Sequence, residues 1–358
     1  MHMTAGLLVV LCAAGPRAAS AACASLTNNG GVYTTWAGLG TPQQRLEVVA
    51  DTGSYDLVVA STLCTTAACR SHRRFDVSAS STFIPGTEVL AIDYGQGNTT
   101  CLRALDAAGL YSSQWATMPS LYKGHVDFAP MVRESLADWA YAPYDGIMGL
   151  GKRLVNDVGG KAFLTSVGIN DFTICLGSAA LTGANKGGRM QLSQPIPLST
   201  PYIALETMGA MAWATTLSHV GVSGSSTTTT TCSSTFPCAA LLDTGTTLLT
   251  LPTALSEEVL AAIENGCPLD GCLDQLQRRP SCHGKYMDAL PEITFTLGGV
   301  ALSLPPSAYM GEMEVRRGGA ALPHESTRHA PRVEPHAASH RPRSPGSLAY
   351  RTRCAVAG

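Results

Sequence analysis

Two tetrapeptides of nearly the same sequence stand about half a chain apart: residues 51–54 read Asp-Thr-Gly-Ser and residues 243–246 read Asp-Thr-Gly-Thr. Two carboxylates held close together cannot both ionise easily, so such a pair shares one proton. The ionised carboxyl group can then take a proton from water, while the protonated one polarises a carbonyl group. The sequence therefore predicts that Asp51 and Asp243 form a catalytic pair for hydrolysis of a peptide bond.

The residues beside the two acids suit this chemistry. Gly53 and Gly245 allow tight turns that bring backbone N–H groups near the carboxylates. The hydroxyl groups of Ser54 and Thr246 can donate hydrogen bonds to the outer carboxylate oxygens, which favours the ionised form. An ordinary β-turn would explain either tetrapeptide alone. It does not explain two copies that are both flanked by apolar runs.

Both tetrapeptides lie between short apolar runs, which predicts that each acid sits on a turn between buried strands. The runs are residues 46–50 and 57–60 around the first turn, and residues 239–242 and 248–251 around the second. This internal repeat predicts two similar lobes that each contribute one turn, with Thr52 and Thr244 locking the turns together. Because both turns lie in one chain, a half-size enzyme that dimerises is disfavoured.

The composition favours strands and turns over long helices. The 358 residues include 36 Gly and 21 Pro, and only 14% are charged. The best helix candidate is residues 256–263, and residues 293–297 and 300–304 suggest a hairpin. The net charge of −2 combines an acidic body with a basic tail, because residues 315–358 hold eight Arg against two Glu. An acidic body does not indicate a nucleic-acid partner, and no later segment has the length and apolarity of a membrane helix.

The N-terminus predicts entry into the secretory pathway. Residues 1–22 combine a short apolar run with small residues, as a cleaved signal peptide does; a buried N-terminal strand is the alternative. Of the twelve Cys, Cys12 lies inside the predicted signal. In a secreted chain, the others are expected to form loop-closing disulfides and not a zinc site, with free, buried thiols as the alternative. Cys64 with Cys69 and Cys232 with Cys238 are the short-range candidates.

Further stretches complete a resemblance to the pepsin-like aspartic proteases, which covers roughly residues 31–310. They are the strand and turn at 39–44, the small disulfide loop at 64–69, the Phe-Asp-Val-Ser-Ala-Ser-Ser-Thr-Phe segment at 75–83, the flap at 92–97, the apolar element at 145–150 that braces the first Asp turn, and the segments 290–295 and 304–309. The resemblance implies an all-β, bilobal fold with a cleft between two β-rich lobes and few short helices. It also implies extended peptide or protein substrates, with no metal and no organic cofactor.

The resemblance also assigns the parts of this chain. The N-terminal lobe would span residues 28–195 and carry the flap, and the C-terminal lobe would span residues 196–314. Tyr94 and Gly95 of the flap would close over the substrate, and Gly53, Gly245 and Thr246 would help to bind it. The expected protein is a monomeric endopeptidase that works at acidic pH, either extracellular or vacuolar. A glycosylation sequon, residues 98–100, lies near the flap.

Three features depart from the family pattern. Val58 stands seven residues after the first Asp, where the family has a Trp that steadies the flap tyrosine. No apolar-apolar-Gly brace for the second Asp turn follows Met310, and residues 315–358 are expected to be a disordered basic tail; a genuine interaction tail is the alternative. No basic propeptide is visible after the signal. The second lobe is therefore expected to be incomplete, and the chain as written to be poorly stable or inactive.

Two functions remain in competition at this point. The leading one is an aspartic endopeptidase, which the presence of both Asp residues favours. The alternative is a catalytically impaired, protease-like protein that binds peptides, which Val58 and the missing brace favour.

Overall fold

The computed structural model describes residues 8–9, 22–29, 31–112, 119–152, 160–176, 187–192, 203–226, 229–278, 282–316 and 350–356. Within these residues the strands are β1 Leu8–Val9, β2 Ala22–Asn28, β3 Tyr33–Leu39, β4 Gln44–Asp51, β5 Leu57–Val59, β6 Ile84–Tyr94, β7 Gly97–Tyr111, β8 Pro119–Leu136, β9 Gly146–Gly149, β10 Phe172–Leu176, β11 Gly188–Leu192, β12 Ala214–Val222, β13 Cys238–Leu241, β14 Ile293–Leu297, β15 Val300–Leu304, β16 Met310–Arg316 and β17 Tyr350–Val356. The helices are α1 Ala67–Arg70, α2 Phe163–Val167, α3 Thr253–Gly266, α4 Cys272–Gln277, α5 Lys285–Asp288 and α6 Pro306–Tyr309, with 3-10 turns at Val77–Ala79 and Trp139–Tyr141. The predicted all-β class with few short helices is confirmed.

The chain divides into two compact units. The first contains Met1–Leu217, Pro237–Thr247 and Leu297–Val300, and the second contains Ser218–Phe236, Leu248–Thr296 and Ala301–Gly358. This division differs from the predicted lobe boundary near residue 195, because the second Asp turn groups with the first unit. Trp213 shows one cause: its indole N–H donates to the carbonyl oxygen of Leu150 at 2.6 Å, and its own carbonyl accepts from the N–H of Leu242 at 2.9 Å.

One large sheet organises the first unit. Its strand order is β1-β10-β11-β2-β3-β4-β9-β5-β8-β7-β6, and an additional pairing of β3 with β7 joins two separated parts of the sheet. The apolar runs predicted around the first Asp are β4 and β5 of this sheet. Both pair with β9, β4 in parallel and β5 antiparallel. The first Asp turn is therefore held by three neighbouring strands.

The core beneath this sheet is apolar and includes an aromatic cluster. Phe75 is fully buried, and its ring lies 5.3 Å from the ring of Phe128 and 6.0 Å from that of Phe83. The Phe75–Phe128 pair is edge-to-face, which is a preferred geometry for aromatic rings. The segment 75–83, recognised by its resemblance to a family segment, thus contributes both of its aromatic side chains to the core, Phe75 fully buried and Phe83 partly buried.

In the second unit, α3 is longer than the predicted helix 256–263. Leu255, Val259 and Ile263 recur every four residues and are buried, as their spacing predicted. The helix begins right after Pro252, whose fixed φ angle fits the start of a helix. The predicted hairpin is also present: β14 and β15 are joined across Gly298 and Gly299, both with positive φ angles.

The C-terminal segment corrects one prediction. Residues 315–358 were expected to be disordered, but Tyr350–Val356 forms a strand that pairs antiparallel with Met310–Arg316. The segment contains Tyr350, Thr352 and Val356, which favour strands, and the basic composition of the tail as a whole obscured this. Residues 317–349 and 357–358 lie outside the described residues.

The second apolar run after Asp243 also differs from expectation. Residues 248–251 do not form a strand. A strand is stable only when its backbone groups are paired, and a sequence pattern does not reveal whether a neighbouring strand is present. At the N-terminus, residues 1–7 and 10–21 of the predicted signal lie outside the described residues, and Leu8–Val9 pairs parallel with β10. The signal peptide stays a prediction.

Two disulfides close short loops. Cys64 is bonded to Cys69, as the spacing predicted, and Cys267 is bonded to Cys272, a pair that was not among the predicted short-range candidates. Four further cysteines are each disulfide-bonded, namely Cys175, Cys232, Cys238 and Cys282. Cys23 and Cys101 are free thiols.

Removing the central aromatic ring of the first unit should destabilise it strongly. We expect Phe75→Ala to lower the free energy of unfolding by about 3–5 kcal/mol, because it leaves a cavity between Phe83 and Phe128. Phe75→Leu keeps most of the apolar volume and should cost clearly less. Urea unfolding followed by tryptophan fluorescence measures both values. Equal losses for the two variants would show that cavity formation is not the cause.

Candidate active site

The first Asp turn begins where β4 ends. Asp51 is its last residue, and its side chain is only 6% exposed. The Gly53 N–H donates to Asp51 Oδ1 at 2.8 Å, and the Ser54 hydroxyl donates to Asp51 Oδ2 at 2.5 Å. The backbone and hydroxyl contacts expected from the sequence are therefore both present, one on each carboxylate oxygen.

The second turn repeats these contacts residue for residue. The Gly245 N–H donates to Asp243 Oδ1 at 2.8 Å, and the Thr246 hydroxyl donates to Asp243 Oδ2 at 2.5 Å. Asp243 itself is half-buried and Thr246 is exposed. The two carboxylates thus have the same hydrogen-bond donors but different access to solvent.

Reciprocal hydrogen bonds lock the two turns together. The Thr52 N–H donates to the Thr244 hydroxyl at 3.1 Å, and the Thr244 N–H donates to the Thr52 hydroxyl at 2.9 Å. Each hydroxyl also donates across to the other turn, from Thr52 to the Leu242 carbonyl and from Thr244 to the Ala50 carbonyl, both at 2.6 Å. All of these groups belong to the first compact unit.

This lock brings each carboxylate against the glycine of the opposite turn. A Cβ atom added to Gly53 would lie 2.5 Å from Asp243 Oδ2, and one added to Gly245 would overlap Asp51 Oδ1. Both positions therefore require glycine, because any side chain would displace the opposing acid. The two carboxyl groups consequently lie within reach of one another.

Burial raises the pKa of Asp51 to about 6 from its ordinary value of 3.8. The negative charge of Asp243 and its hydrogen bond with Asp51 act in the same direction, since each favours a proton on Asp51. The hydrogen bonds from Ser54 and Gly53 oppose the shift but do not cancel it. A pair of this kind shares one proton.

The element after residue 144 braces the first turn. In β9, Gly149 pairs with Asp51, and the N–H of Leu150 donates to the Asp51 carbonyl oxygen at 2.6 Å. The brace is anchored by Asp145, whose buried carboxylate accepts hydrogen bonds from the backbone N–H groups of Glu47 and Arg73, both at 2.9 Å. Asp145 was recognised only as part of a motif. Its anchoring role had no signal in the sequence, because its partners lie 98 and 72 residues away.

The flap is the hairpin of β6 and β7, which turns at residues 95–96. Tyr94 pairs with Gly97 at its end, and Gly95 is exposed. Burial raises the pKa of the Tyr94 hydroxyl well above its usual value, with smaller contributions from Cys101 and from the Asp51 carboxylate. The flap tyrosine is therefore within electrostatic range of the first Asp turn.

Apolar side chains fill the space behind the flap where Val58 stands. Val58 is fully buried in a cluster with Leu90 and Cys101. Trp139 joins this cluster from a different element, and its buried indole N–H has no hydrogen-bond partner among the described residues. The role of this tryptophan could not be predicted from the sequence, because only the fold brings residues 58 and 139 together.

The described part of the chain has no group of three or more His, Cys, Asp or Glu side chains that could hold a metal ion. None of the helices within the described ranges is long and apolar enough to cross a membrane.

Comparison with known proteins decides the family. The family pattern described as eukaryotic aspartyl protease matches residues 32–320. The chain belongs to this family. It is 29% identical to pepsin A of Bos taurus over 277 residues, which cover 76% of this chain and 69% of that protein. It is 30% identical to pepsin II-2/3 of Oryctolagus cuniculus, covering 76% and 66%, and 28% identical to gastricsin of Cavia porcellus, again covering 76% and 66%.

The predicted resemblance is thus confirmed, and the protein is an aspartic endopeptidase by family. Peptide substrates follow from the same membership. The alternative of a catalytically impaired binding protein is not favoured by these comparisons. The expected low stability of the chain stays a prediction.

The lock between the two turns of this aspartyl protease gives a direct test. Thr52→Val removes a hydroxyl without changing the side-chain shape and leaves the Leu242 carbonyl and the Thr244 N–H unpaired. We expect a loss of about 2 kcal/mol in the free energy of unfolding, with kcat reduced more than KM because the carboxylates separate. Thr52→Ser keeps the hydroxyl and should behave nearly as wild type. Denaturant unfolding and peptide kinetics together provide the measurement; an unchanged kcat in the valine variant would contradict the proposed role of the lock.

Proposed function

We propose that Asp51 and Asp243 are the catalytic pair of this aspartic endopeptidase and that it cleaves peptide bonds at acidic pH. The observation that carries the proposal is the contact of each carboxylate with the glycine of the opposite turn, which holds the two acids close enough to share a proton. One acid of such a pair can take a proton from water, and the other can polarise the scissile carbonyl.

Burial suggests how the two acids divide the work. Asp51 is almost completely buried, and a buried carboxyl group favours the neutral form. Asp243 is more exposed. The raised pKa of Asp51 favours a proton on this acid, which donates a hydrogen bond to the substrate carbonyl once a peptide is bound. The other acid of the pair takes the proton from the attacking water, and apparent pKa values belong to the pair.

The flap and the two turns supply the proposed substrate contacts. Tyr94 and Gly95 cover the bound peptide from the hairpin, and closing such a hairpin excludes water from the reacting groups. Gly53, Gly245 and Thr246 contact the peptide from the turns. Thr52, Ser54 and Thr244 do not touch it but fix the carboxylates. The supporting observations are the hydrogen bonds within the turns and the electrostatic influence of Asp51 on Tyr94.

We also propose that the protein enters the secretory pathway and acts outside the cell or in a vacuole. Its predicted signal and its disulfide-bonded cysteines support this location. The acidic body argues against a nucleic-acid partner, and the presence of both Asp turns in one chain supports a monomer.

Replacing either acid by its amide should abolish the activity. We expect Asp51→Asn and Asp243→Asn each to reduce kcat for a quenched peptide at acidic pH by at least three orders of magnitude, because an amide cannot exchange the required proton. The exposed Asp171→Asn is the matched control and should keep wild-type rates. A transition-state analogue of the statine type should inhibit the wild-type protein. Substantial activity in either site variant would refute the assignment of the pair.

The pH dependence provides a second test. The pKa of Asp51 is raised to about 6, so the shared proton is lost, and kcat/KM falls, as pH rises through that value. Ser54→Ala removes a hydrogen bond that lowers this pKa, and we expect the alkaline limb of the profile to move to higher pH. Ser54→Thr retains the hydroxyl, as Thr246 does in the second turn, and should leave the limb in place. A shift to lower pH in the alanine variant would contradict the assignment.

The same titration affects stability. Because the folded-state pKa of Asp51 lies above its ordinary value of 3.8, its contribution to stability is greatest below about pH 4 and is lost as pH rises through 6.

A further inference from the structure

The flap carries a sequence signal that the proposed mechanism does not use. Residues 98–100 read Asn-Thr-Thr, and this is the only Asn-x-Ser/Thr triplet in the 358 residues. Such a triplet is the acceptor for N-linked glycosylation when it is accessible in a secreted protein. Asn98 lies within strand β7, so its accessibility depends on which face of the strand its side chain occupies.

Strand alternation gives the hairpin two different faces. On the inner face, Leu90, Thr99 and Cys101 are buried, and the Cys101 thiol contacts the Thr99 hydroxyl at 3.6 Å. Tyr94 lies on this face too, since it is separated by an even number of residues from Leu90. The inner face is therefore the one that carries the proposed substrate contact.

The outer face carries the asparagine. Asn98 is exposed, and so are both of its partners across the neighbouring strands, Asp93 in β6 and Ser135 in β8. Three adjacent strands thus present exposed polar side chains at the same level. A group attached to Asn98 would point into solvent and would not displace any buried side chain.

We propose that Asn98 is N-glycosylated and that its glycan shields the outer face of the flap. In the transfer, the side-chain amide nitrogen of Asn98 attacks the anomeric carbon of an oligosaccharide linked to a lipid pyrophosphate. An N–C bond forms, the C–O bond to the pyrophosphate breaks, the lipid pyrophosphate leaves with the bonding electrons, and the amide nitrogen loses one proton. The proposal rests on the secretory routing proposed above.

The position of this glycan has a consequence for substrate selection. An extended peptide needs only the inner face of the hairpin, where Tyr94 lies. A folded protein has to bring its bulk against the outer face and the end of the hairpin, which Asn98 adjoins because Tyr94 pairs with Gly97. The glycan should therefore reduce cleavage of folded proteins and leave cleavage of short peptides unchanged.

The test compares two variants at one position in a eukaryotic secretory host. Thr100→Ala destroys the triplet and Thr100→Ser preserves it, while Asn98 is unchanged in both. Peptide N-glycosidase should increase the gel mobility of the wild-type protein and of Thr100→Ser but not of Thr100→Ala. Mass spectrometry should find aspartate at position 98 after the enzyme treatment. Wild-type protein recovered from this host without a glycan would overturn the proposal, whether the cause is failure to enter the pathway or failure to be modified.

Kinetics test the consequence separately. Relative to Thr100→Ser, we expect Thr100→Ala to cleave a folded protein severalfold faster and a short quenched peptide at the same rate. Equal ratios in the two variants would refute shielding. Asp51→Asn should carry the same glycan as the wild type, so occupancy can be read without any catalytic activity. A failure of the proposed catalytic pair would thus be distinguishable from a failure of the glycosylation site.

Discussion

The reciprocal hydrogen bonds between Thr52 and Thr244 are the interaction on which the rest of the site depends. Each threonine uses its hydroxyl both to accept from the opposite N–H and to donate to a carbonyl next to the opposite acid. Two segments 192 residues apart in sequence are thereby fixed at one separation. At that separation, a Cβ atom at residue 53 or 245 would clash with the carboxylate of the opposite turn, so both positions need glycine. The same separation places the carboxylates of Asp51 and Asp243 close enough to interact. The close approach of the two acids is thus a consequence of backbone geometry.

The two turns have identical local contacts and unequal surroundings. The Asp51 turn is enclosed by β4, β5 and β9, and β9 is anchored in turn by the buried carboxylate of Asp145. Around Asp243, residues 248–251 form no strand, and the acid is more exposed. Burial then places the raised pKa on Asp51. A sequence repeat that looks symmetric therefore gives two acids with unequal burial.

The flap shows how one hairpin can serve two surfaces. Its inner face, with Leu90, Thr99 and Cys101, packs on the cluster that contains Val58 and Trp139. Its outer face, with Asp93 and Asn98, is polar and exposed, and so is the neighbouring Ser135 of β8. Because successive side chains of a strand point to opposite faces of the sheet, adjacent residues of this hairpin contact either the buried cluster or the solvent. The proposed substrate contact of Tyr94 and the glycosylation sequon therefore lie on opposite faces of one short hairpin.

The contacts within the two Asp turns and the class of the fold could be predicted from residues close together in the chain. Asp-Thr-Gly with a hydroxyl residue specifies contacts within four residues, and the apolar runs around the first turn predicted β4 and β5. The sequence did not show which strands pair. Three features depended on pairing: the strand Tyr350–Val356, the run 248–251 that forms no strand, and the grouping of Pro237–Thr247 with the first unit. The sequence also did not predict that Asp145 anchors β9 or that Trp139 packs in the same cluster as Val58. Such features depend on the folded chain, because burial and strand pairing arise from contacts between residues far apart in the sequence. Composition and periodicity do not predict these contacts.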